Sequence, residues 1–187
     1  MIIDNGDSLL LAPPDWHTPQ LTVLDSGNAL TLHIQDAFNY HGYDAVGGVV
    51  LGFRLLQRAI AILSPDAPPE RREFTLFTAF PGLGARDCFE LVTRMVTGNR
   101  FTLDTGFAET SAQAGVEGRL HFEFGYRGQH VALAPVEGAP SAEFIALGKA
   151  SKRPGVSPQQ KADWQRAKYA LANTLLAADP GEVIRVL

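Results

Sequence analysis

Residues 45–63 have the sequence AVGGVVLGFRLLQRAIAIL, and this stretch determines the architecture predicted for the chain. Its apolar residues recur at every third or fourth position, which is the period of one face of a helix. Prolines from Pro65 onward end the helix, because proline lacks the amide hydrogen that a helix interior needs. Gly47, Gly48 and Gly52 each cost about 1 kcal/mol of helix stability relative to alanine. We therefore predict a long core helix with another element packed closely against its glycine-rich start.

The segments around this helix alternate between helix and strand patterns, with glycine- and proline-rich turns between them. Strand patterns cover 73–80, 101–104, 119–124 and 130–134. Helix patterns cover a segment from about 33 to 40, the segment 85–96 with Gly98 as its expected C-terminal cap, and a long stretch that starts at Ser157 and Pro158. Turns of hairpin length separate several strands. We therefore predict an α+β fold, with a mixed or antiparallel sheet packed against several helices.

The chain is predicted to form one domain preceded by an irregular arm. Its 187 residues are an ordinary size for a single domain. Clustered prolines make residues 1–29 an irregular N-terminal arm, and residues 30–187 form the domain. Turn-forming residues at 25–28 also allow a hairpin at the boundary, as an alternative to the short helix that we favour from about His33.

Composition and charge exclude several classes of function. The net charge is −4 and basic residues are adjacent only at 71–72 and 152–153, so the basic footprint of a nucleic-acid-binding protein is missing. We expect no membrane association, because no apolar stretch approaches the roughly 20 residues that span a bilayer. The N-terminus lacks the pattern of a signal peptide. The single cysteine, Cys88, cannot form an intramolecular disulfide, which is typical of a cytoplasmic protein.

A polar cluster, NYHGYD at residues 39–44, lies directly before the long helix. A helix N-terminus offers free amide donors, and Gly47 and Gly48 would let an anionic ligand approach the backbone. His41 and Asp44 have the side chains of a proton-transfer pair or of two metal ligands. The alternative is structural: Asp44 caps the helix and His41 is a hydrogen-bonded turn residue.

A second cluster, FPGLGARDC at residues 80–88, forms another glycine-rich turn from a strand into a helix. It lacks the Gly-Lys-Ser/Thr sequence of a P-loop. Asp87 and Cys88 fall in the predicted first helical turn, where the helix dipole favours a thiolate. The more common alternative is that Cys88 is a small buried apolar residue.

In their order along the chain, these clusters resemble the FmdE-like family, which comprises one component of formylmethanofuran dehydrogenase and its stand-alone relatives. In that family a short helix leads into His-Gly-His-x-Cys-Pro-Gly and an apolar stretch that ends in Leu-Gly-x-Arg. The counterpart here is FNYHGYDAVGGVVLGFR at residues 38–54. Asp87, the Gly-Asn pair at 98–99 and the Asp-Thr-Gly at 104–106 then follow in the family's order. The resemblance covers nearly all of residues 30–187.

The chain also departs from the family pattern. Tyr43 replaces the family's second histidine, and neither of the family's two cysteines has a counterpart at its position. The zinc-finger extension of some members is missing as well. If the family's histidines and cysteines bind metal, this chain keeps only His41 of that set. Any metal would then take oxygen ligands such as Asp44 or Asp87.

The resemblance implies an FmdE-like α+β core, a homodimer, and an association with one-carbon or molybdenum-enzyme metabolism, without defining a reaction. We expect a stand-alone cytoplasmic protein with a pocket for a small molecule or a divalent metal. His41 is the candidate general base, oriented by Tyr43 or Asp44, and His41 and Asp44 are the candidate metal ligands. Six further residues are candidates for ligand binding: Gly42, Gly47, Gly48, Gly84, Asp87 and Cys88. The alternative is a non-catalytic accessory component of a larger complex that has lost the family's metal site.

Overall fold

The computed structural model describes residues 19–187, in which two sheets and six helices form an α+β fold, as predicted. Residues 1–18 of the predicted arm lie outside the described residues. In chain order the elements are β1 (Gln20–Asp25), β2 (Asn28–His33), α1 (Ile34–His41), α2 (Val46–Leu63), β3 (Phe74–Thr78), α3 (Leu83–Thr93), β4 (Phe101–Leu103), β5 (Phe122–Tyr126), β6 (Gln129–Pro135), α4 (Ala142–Ser151), α5 (Pro158–Leu176), α6 (Pro180–Val183) and β7 (Ile184–Val186).

The main sheet is mixed and has the strand order β4-β3-β5-β6-β7. Strand β4 runs parallel to β3, and every other neighbouring pair is antiparallel. A tight turn at Arg127 and Gly128 joins β5 to β6, with positive φ angles of 48° and 79°. Two positive φ angles in a two-residue hairpin loop match the right-handed twist of the strands.

Helix α2 is the centre of the core, as its apolar pattern predicts. Its side chains, among them Val49, Phe53 and Leu56, are fully buried between the sheet and the neighbouring helices α3 and α5. Contrary to the sequence analysis, the 18 residues of α2 are long and apolar enough to span a membrane by length and composition alone. However, 67% of the helix is buried inside the protein, so α2 is a core helix and does not point to a membrane protein.

Residues 20–29 are not an irregular arm, because they belong to a β-hairpin. Strands β1 and β2 pair antiparallel around a turn at Ser26 and Gly27, whose φ angles are 55° and 79°. The hairpin is held to the domain by hydrogen bonds from the Leu24 amide to the Pro69 carbonyl (2.8 Å) and from the Gly27 amide to the Glu70 carboxylate (2.7 Å). Helix α1 follows directly at Ile34, so the hairpin alternative and the helix from about His33 are both correct.

The two ends of helix α3 differ from the sequence prediction. The helix begins at Leu83, which places Asp87 and Cys88 in its second turn and weakens the argument from the helix dipole. The helix ends at Thr93, and the next residue, Arg94, adopts the left-handed conformation, with φ 54°. Gly98 is therefore not its C-terminal cap.

The predicted start of α5 is confirmed, while other C-terminal elements were not anticipated. The Ser157 side chain accepts a hydrogen bond from the Gln160 amide, and the Gln160 side chain accepts one from the Ser157 amide. This reciprocal capping box satisfies two amides of the helix start. Helix α4, where the Ser141 hydroxyl accepts a hydrogen bond from the Phe144 amide, was not predicted, and neither were the short elements α6 and β7.

Candidate functional site

The candidate site forms where the turn between α1 and α2 meets α3. His41 is the last residue of α1, and Gly42 ends that helix with φ 96°. The Gly42 amide donates to the Phe38 carbonyl at 2.7 Å. A φ of this sign favours glycine, and the turn at Gly42 is followed by Asp44, whose carboxylate lies beside His41. Asp87 faces the same histidine from α3.

His41 lies between two carboxylates. Its Nδ1 is 2.8 Å from Asp87 Oδ2, and its Nε2 is 3.2 Å from Asp44 Oδ1. The imidazole is only 8% exposed, whereas the Asp44 side chain is 86% exposed. The contact with Asp44 does not have hydrogen-bond geometry, so Nε2 is a buried nitrogen without a hydrogen-bond partner among residues 19–187. Since a carboxylate only accepts hydrogen bonds, a neutral His41 carries its proton on Nδ1 and its lone pair on Nε2.

The residue that orients His41 is Asp87, and neither Tyr43 nor Asp44 takes this role. The Tyr43 ring stacks on Phe38 with a centroid distance of 5.4 Å. Its hydroxyl accepts a hydrogen bond from Gln35 Nε2 at 2.8 Å. Tyr43 therefore lies along the outer face of α1, and the structure does not bring its hydroxyl to the imidazole.

Asp44 is not the N-terminal cap of α2, contrary to the structural alternative. The cap position is Ala45, and no side chain accepts a hydrogen bond there. The Asp44 backbone carbonyl instead accepts a hydrogen bond from Lys168 Nζ on α5. Burial lowers the pKa of Lys168, and the nearby Asp44 charge opposes that shift. Lys168 was missed because it lies more than a hundred residues further along the chain; its only local signal is Trp164, one helical turn earlier, whose ring centroid is 5.7 Å from Nζ.

Protein atoms occupy the space beside the glycines at the two helix starts. A Cβ on Gly47 would meet the Lys168 carbonyl oxygen at 3.2 Å. A Cβ on Gly84 would meet the Ala45 carbonyl oxygen at 2.9 Å, and one on Gly48 would touch Gly84 Cα at 3.6 Å. The close approach at Gly47, Gly48 and Gly84 is therefore made by protein atoms, and the binding of a ligand or an anion at this helix start stays a prediction. The predicted close packing against the start of α2 is confirmed.

Cys88 faces the core and does not join the site. Its side chain is fully buried, and a Cβ added to Gly52 would lie 3.1 Å from Cys88 Cβ. Burial raises the pKa of the thiol strongly, and the charge of Asp87 raises it further. Cys88 is thus a small buried apolar residue, and its interpretation as a thiolate or ligand-binding residue is wrong.

Within residues 19–187, no group of three or more histidine, cysteine, aspartate or glutamate side chains is arranged to hold a metal ion. The structure does bring His41 and Asp44 together as two donor atoms 3.2 Å apart. Imidazole nitrogen and carboxylate oxygen are both common ligands of divalent transition metals. Alternatively, a histidine with Nδ1 on a carboxylate has the arrangement of an oriented general base.

Comparison with known proteins does not assign the site. No protein-family model matches the chain, and no curated protein matches it.

Proposed function

We propose that this chain is a stand-alone, cytoplasmic, FmdE-like homodimer that binds a divalent cation or a small cationic molecule at His41. The single observation that carries the proposal is the buried Nε2 of His41, which lacks a hydrogen bond while Asp87 fixes the other side of the ring. Leaving a buried polar nitrogen unpaired costs about 1–3 kcal/mol, and a bound cation would remove that cost. The link to one-carbon or molybdenum-enzyme metabolism comes from the resemblance alone.

The charges around the site favour a cation over an anion. Asp44 lies directly beside Nε2 and Asp87 beside Nδ1, so two carboxylates flank one ring. An anion approaching Nε2 would meet the negative charge of Asp44. A cation would instead accept the lone pair of Nε2 and pair with Asp44 Oδ1. The carboxylate on Nδ1 matches the outer-shell hydrogen bond that usually supports a metal-ligating histidine.

The turn that carries Asp44 provides the route to the buried nitrogen. Asp44 is 86% exposed, so its side chain can move into solvent without breaking a side-chain hydrogen bond of the described region. With two donors from the protein, the remaining ligands of a cation would be water, a substrate or a second copy of the chain. If the site is catalytic, His41 is its general base and Asp87 its positioning residue.

A second candidate function is that of a non-catalytic binding protein, and three exposed apolar side chains on the elements that carry the site favour it. Tyr40, Tyr43 and Leu83 are 49%, 44% and 61% exposed, respectively. Tyr40 and Tyr43 lie on α1 and the turn after it, and Leu83 begins α3, the helix that carries Asp87. Exposed apolar side chains of this size suit a surface that another molecule covers. In this alternative Tyr40, Tyr43 and Leu83 contact a partner protein within a larger complex, and His41 and Asp87 only fix the turn.

Metal analysis separates the two candidates. The purified chain, loaded with Zn²⁺ or Mn²⁺ and then dialysed, is analysed beside His41→Ala, Asp44→Asn and a control, His130→Ala, whose histidine is exposed on β6. We expect stoichiometric metal in the wild type and in the control, and loss of metal in the other two variants. Equal retention by His41→Ala and the wild type would contradict the cation site. The absence of metal in every sample would favour the non-catalytic binding protein.

A further inference from the structure

A cavity of about 370 Å³ lies at the opposite end of α3 from His41. We call it the arginine pocket; it is lined by Arg72, Arg94, Thr97, Gly98 and Arg100. Three of its five lining residues carry a guanidinium group, in a chain whose net charge is −4. The cavity is separate from the site at His41 and has no part in the function proposed above.

One guanidinium of the arginine pocket, that of Arg100, is held by backbone hydrogen bonds. Arg100 donates through its terminal nitrogens to the backbone carbonyls of Phe74, Thr93 (2.8 Å) and Arg94 (3.0 Å). A Cβ on Gly98 would lie 3.0 Å from Arg100 Nε, so the loop backbone also contacts the guanidinium edge. A guanidinium that is held in this way loses little conformational entropy when it binds a ligand.

Several guanidinium nitrogens of the arginine pocket make no hydrogen bond within the described protein. Arg72 pairs with Asp25 through Nε at 3.1 Å, and Arg94 has only a loose ion pair with Glu90, at 3.7 Å. In the described part of the chain, the terminal nitrogens of Arg72 and Arg94 and the Nε of Arg100 have no hydrogen-bond partner.

The neighbouring carboxylates are already occupied. Glu90 accepts hydrogen bonds from the Val96 amide (2.8 Å), the Thr97 amide (3.1 Å) and the Thr97 hydroxyl (2.6 Å). Asp25 is shared between Arg72 and Arg71. Burial lowers the pKa of the Arg100 guanidinium and the positive charge of Arg72 lowers it further, while the charge of Glu90 opposes the shift. Arg72 and Arg100 therefore repel each other, and an anion between them would relieve this repulsion.

We propose that the arginine pocket binds a phosphate group, either as free phosphate or as the phosphate of a small phosphomonoester. A phosphate carries a charge of about −1.5 to −2 near neutral pH and several acceptor oxygens, which suit more than one guanidinium. Arginine presents donors in a planar fork that matches phosphate geometry. A cavity of about 370 Å³ is larger than one phosphate, so it has room for a small organic group attached to it.

The test is titration of the full chain with inorganic phosphate and, separately, with ribose 5-phosphate, by calorimetry at low ionic strength. Low salt is needed because exposed charges are screened within about 10 Å at 0.1 M salt. Arg72→Gln and Arg94→Gln are compared with a control, Arg153→Gln, whose exposed side chain lies outside the pocket. We expect each pocket variant to weaken phosphate binding about tenfold, the loss of one charge-assisted contact, and the control to bind as the wild type does.

Each outcome of the titration supports or overturns the proposal. Both pocket side chains are largely exposed, at 63% for Arg72 and 48% for Arg94, so the variants are expected to fold; thermal unfolding without ligand checks this. Tighter binding of ribose 5-phosphate than of phosphate would identify a phosphomonoester site, and equal binding a site for free phosphate. No binding of either compound, or equal weakening by Arg153→Gln, would overturn the proposal. Loss of His41 is not expected to change this binding, which keeps the two sites distinguishable.

Discussion

The two ends of helix α3 are stabilised in different ways by different residues. At its N-terminal end the backbones of α2 and α3 touch, because Gly48, Gly52 and Gly84 remove the side chains between them. At its C-terminal end the last carbonyls accept hydrogen bonds from the guanidinium groups of Arg71 and Arg100. One end is therefore stabilised by close packing and the other by charged hydrogen bonds. A charged site lies beside the helix at each end: His41 at one and the arginine pocket at the other.

The largest expected effect is the loss of Arg71, which is buried and donates to the Val92 carbonyl at 2.7 Å and to the Leu91 carbonyl. Replacing it in Arg71→Met leaves both carbonyls unpaired and removes one partner of Asp25. A hydrogen bond to a charged group contributes about 1.5–3 kcal/mol to stability. Because two such bonds are lost, we expect the free energy of unfolding to fall by about 3 kcal/mol. Urea denaturation measures it, with Arg86→Met as the control, because Arg86 lies on α3 and its side chain is 42% exposed. Equal stability of the two variants would contradict this account of the C-terminal end.

The close packing at the N-terminal end is tested by two alanine substitutions in α2. A Cβ at position 52 would meet Ala85 Cα at 2.9 Å, which is backbone that cannot easily move. Overpacking of this kind costs about 1–3 kcal/mol, so Gly52→Ala should be destabilised despite its better helix propensity. At position 48 the nearest atoms are at 3.6 Å, an ordinary contact, so Gly48→Ala should be neutral or slightly stabilised. Thermal unfolding of both variants gives the comparison, and the opposite order would show that the helices do not meet at Gly52.

Acid titration tests whether the Glu90 carboxylate stabilises the loop that follows α3. Burial alone would raise the pKa of Glu90, but hydrogen bonds from Thr97 and Val96 outweigh it and hold the pKa below its ordinary value of 4.5. Because the pKa is lower in the folded state, this stabilisation is present above about pH 4.5 and is lost as the pH falls through the folded-state value.

We expect Glu90→Gln to lose about 1–2 kcal/mol at neutral pH, less than Arg71→Met, because the loop amides keep a weaker acceptor. The difference from the wild type should shrink as the pH falls below about 4. Urea denaturation at several pH values measures both trends. A difference that stays constant with pH would mean that the Glu90 charge does not hold the loop.

The smallest effect on stability is expected for Asp87→Asn. The hydrogen bond to His41 Nδ1, at 2.8 Å, is only partly buried, so its loss should cost about 1 kcal/mol or less. The substitution should also change the tautomer of the His41 imidazole, because an amide can donate to Nδ1 and leave the proton on Nε2. Histidine side-chain NMR reads the tautomer directly. An unchanged tautomer in Asp87→Asn would mean that Asp87 does not set it.

Local sequence signals predicted the elements more completely than they predicted the site. The apolar period of α2 and the Ser157–Pro158 start of α5 are properties of neighbouring residues, and both are confirmed. The pairing of His41 with Asp87 joins residues 46 positions apart, so no local pattern contains it. The glycines do not by themselves distinguish packing from binding, because a close approach of backbone to backbone requires the same residue as a close approach of backbone to ligand.

The end of α3 shows the same limitation. A glycine a few residues past a helix predicts a cap, but here Arg94 takes the left-handed conformation itself. Arg100 stabilises this end by donating to the Thr93 and Arg94 carbonyls, and it does so from the far side of a loop. Such a cap cannot be recognised before the loop is folded.

The most direct test of the central proposal is a nitrogen-detected NMR spectrum of the histidine side chains during titration with Zn²⁺. We predict that His41 begins with its proton on Nδ1, held by Asp87, and that its Nε2 resonance shifts saturably as Zn²⁺ is added. The exposed His130 serves as an internal reference for weak surface binding. A His41 Nε2 resonance that stays unchanged while only His130 responds would contradict the cation site at His41.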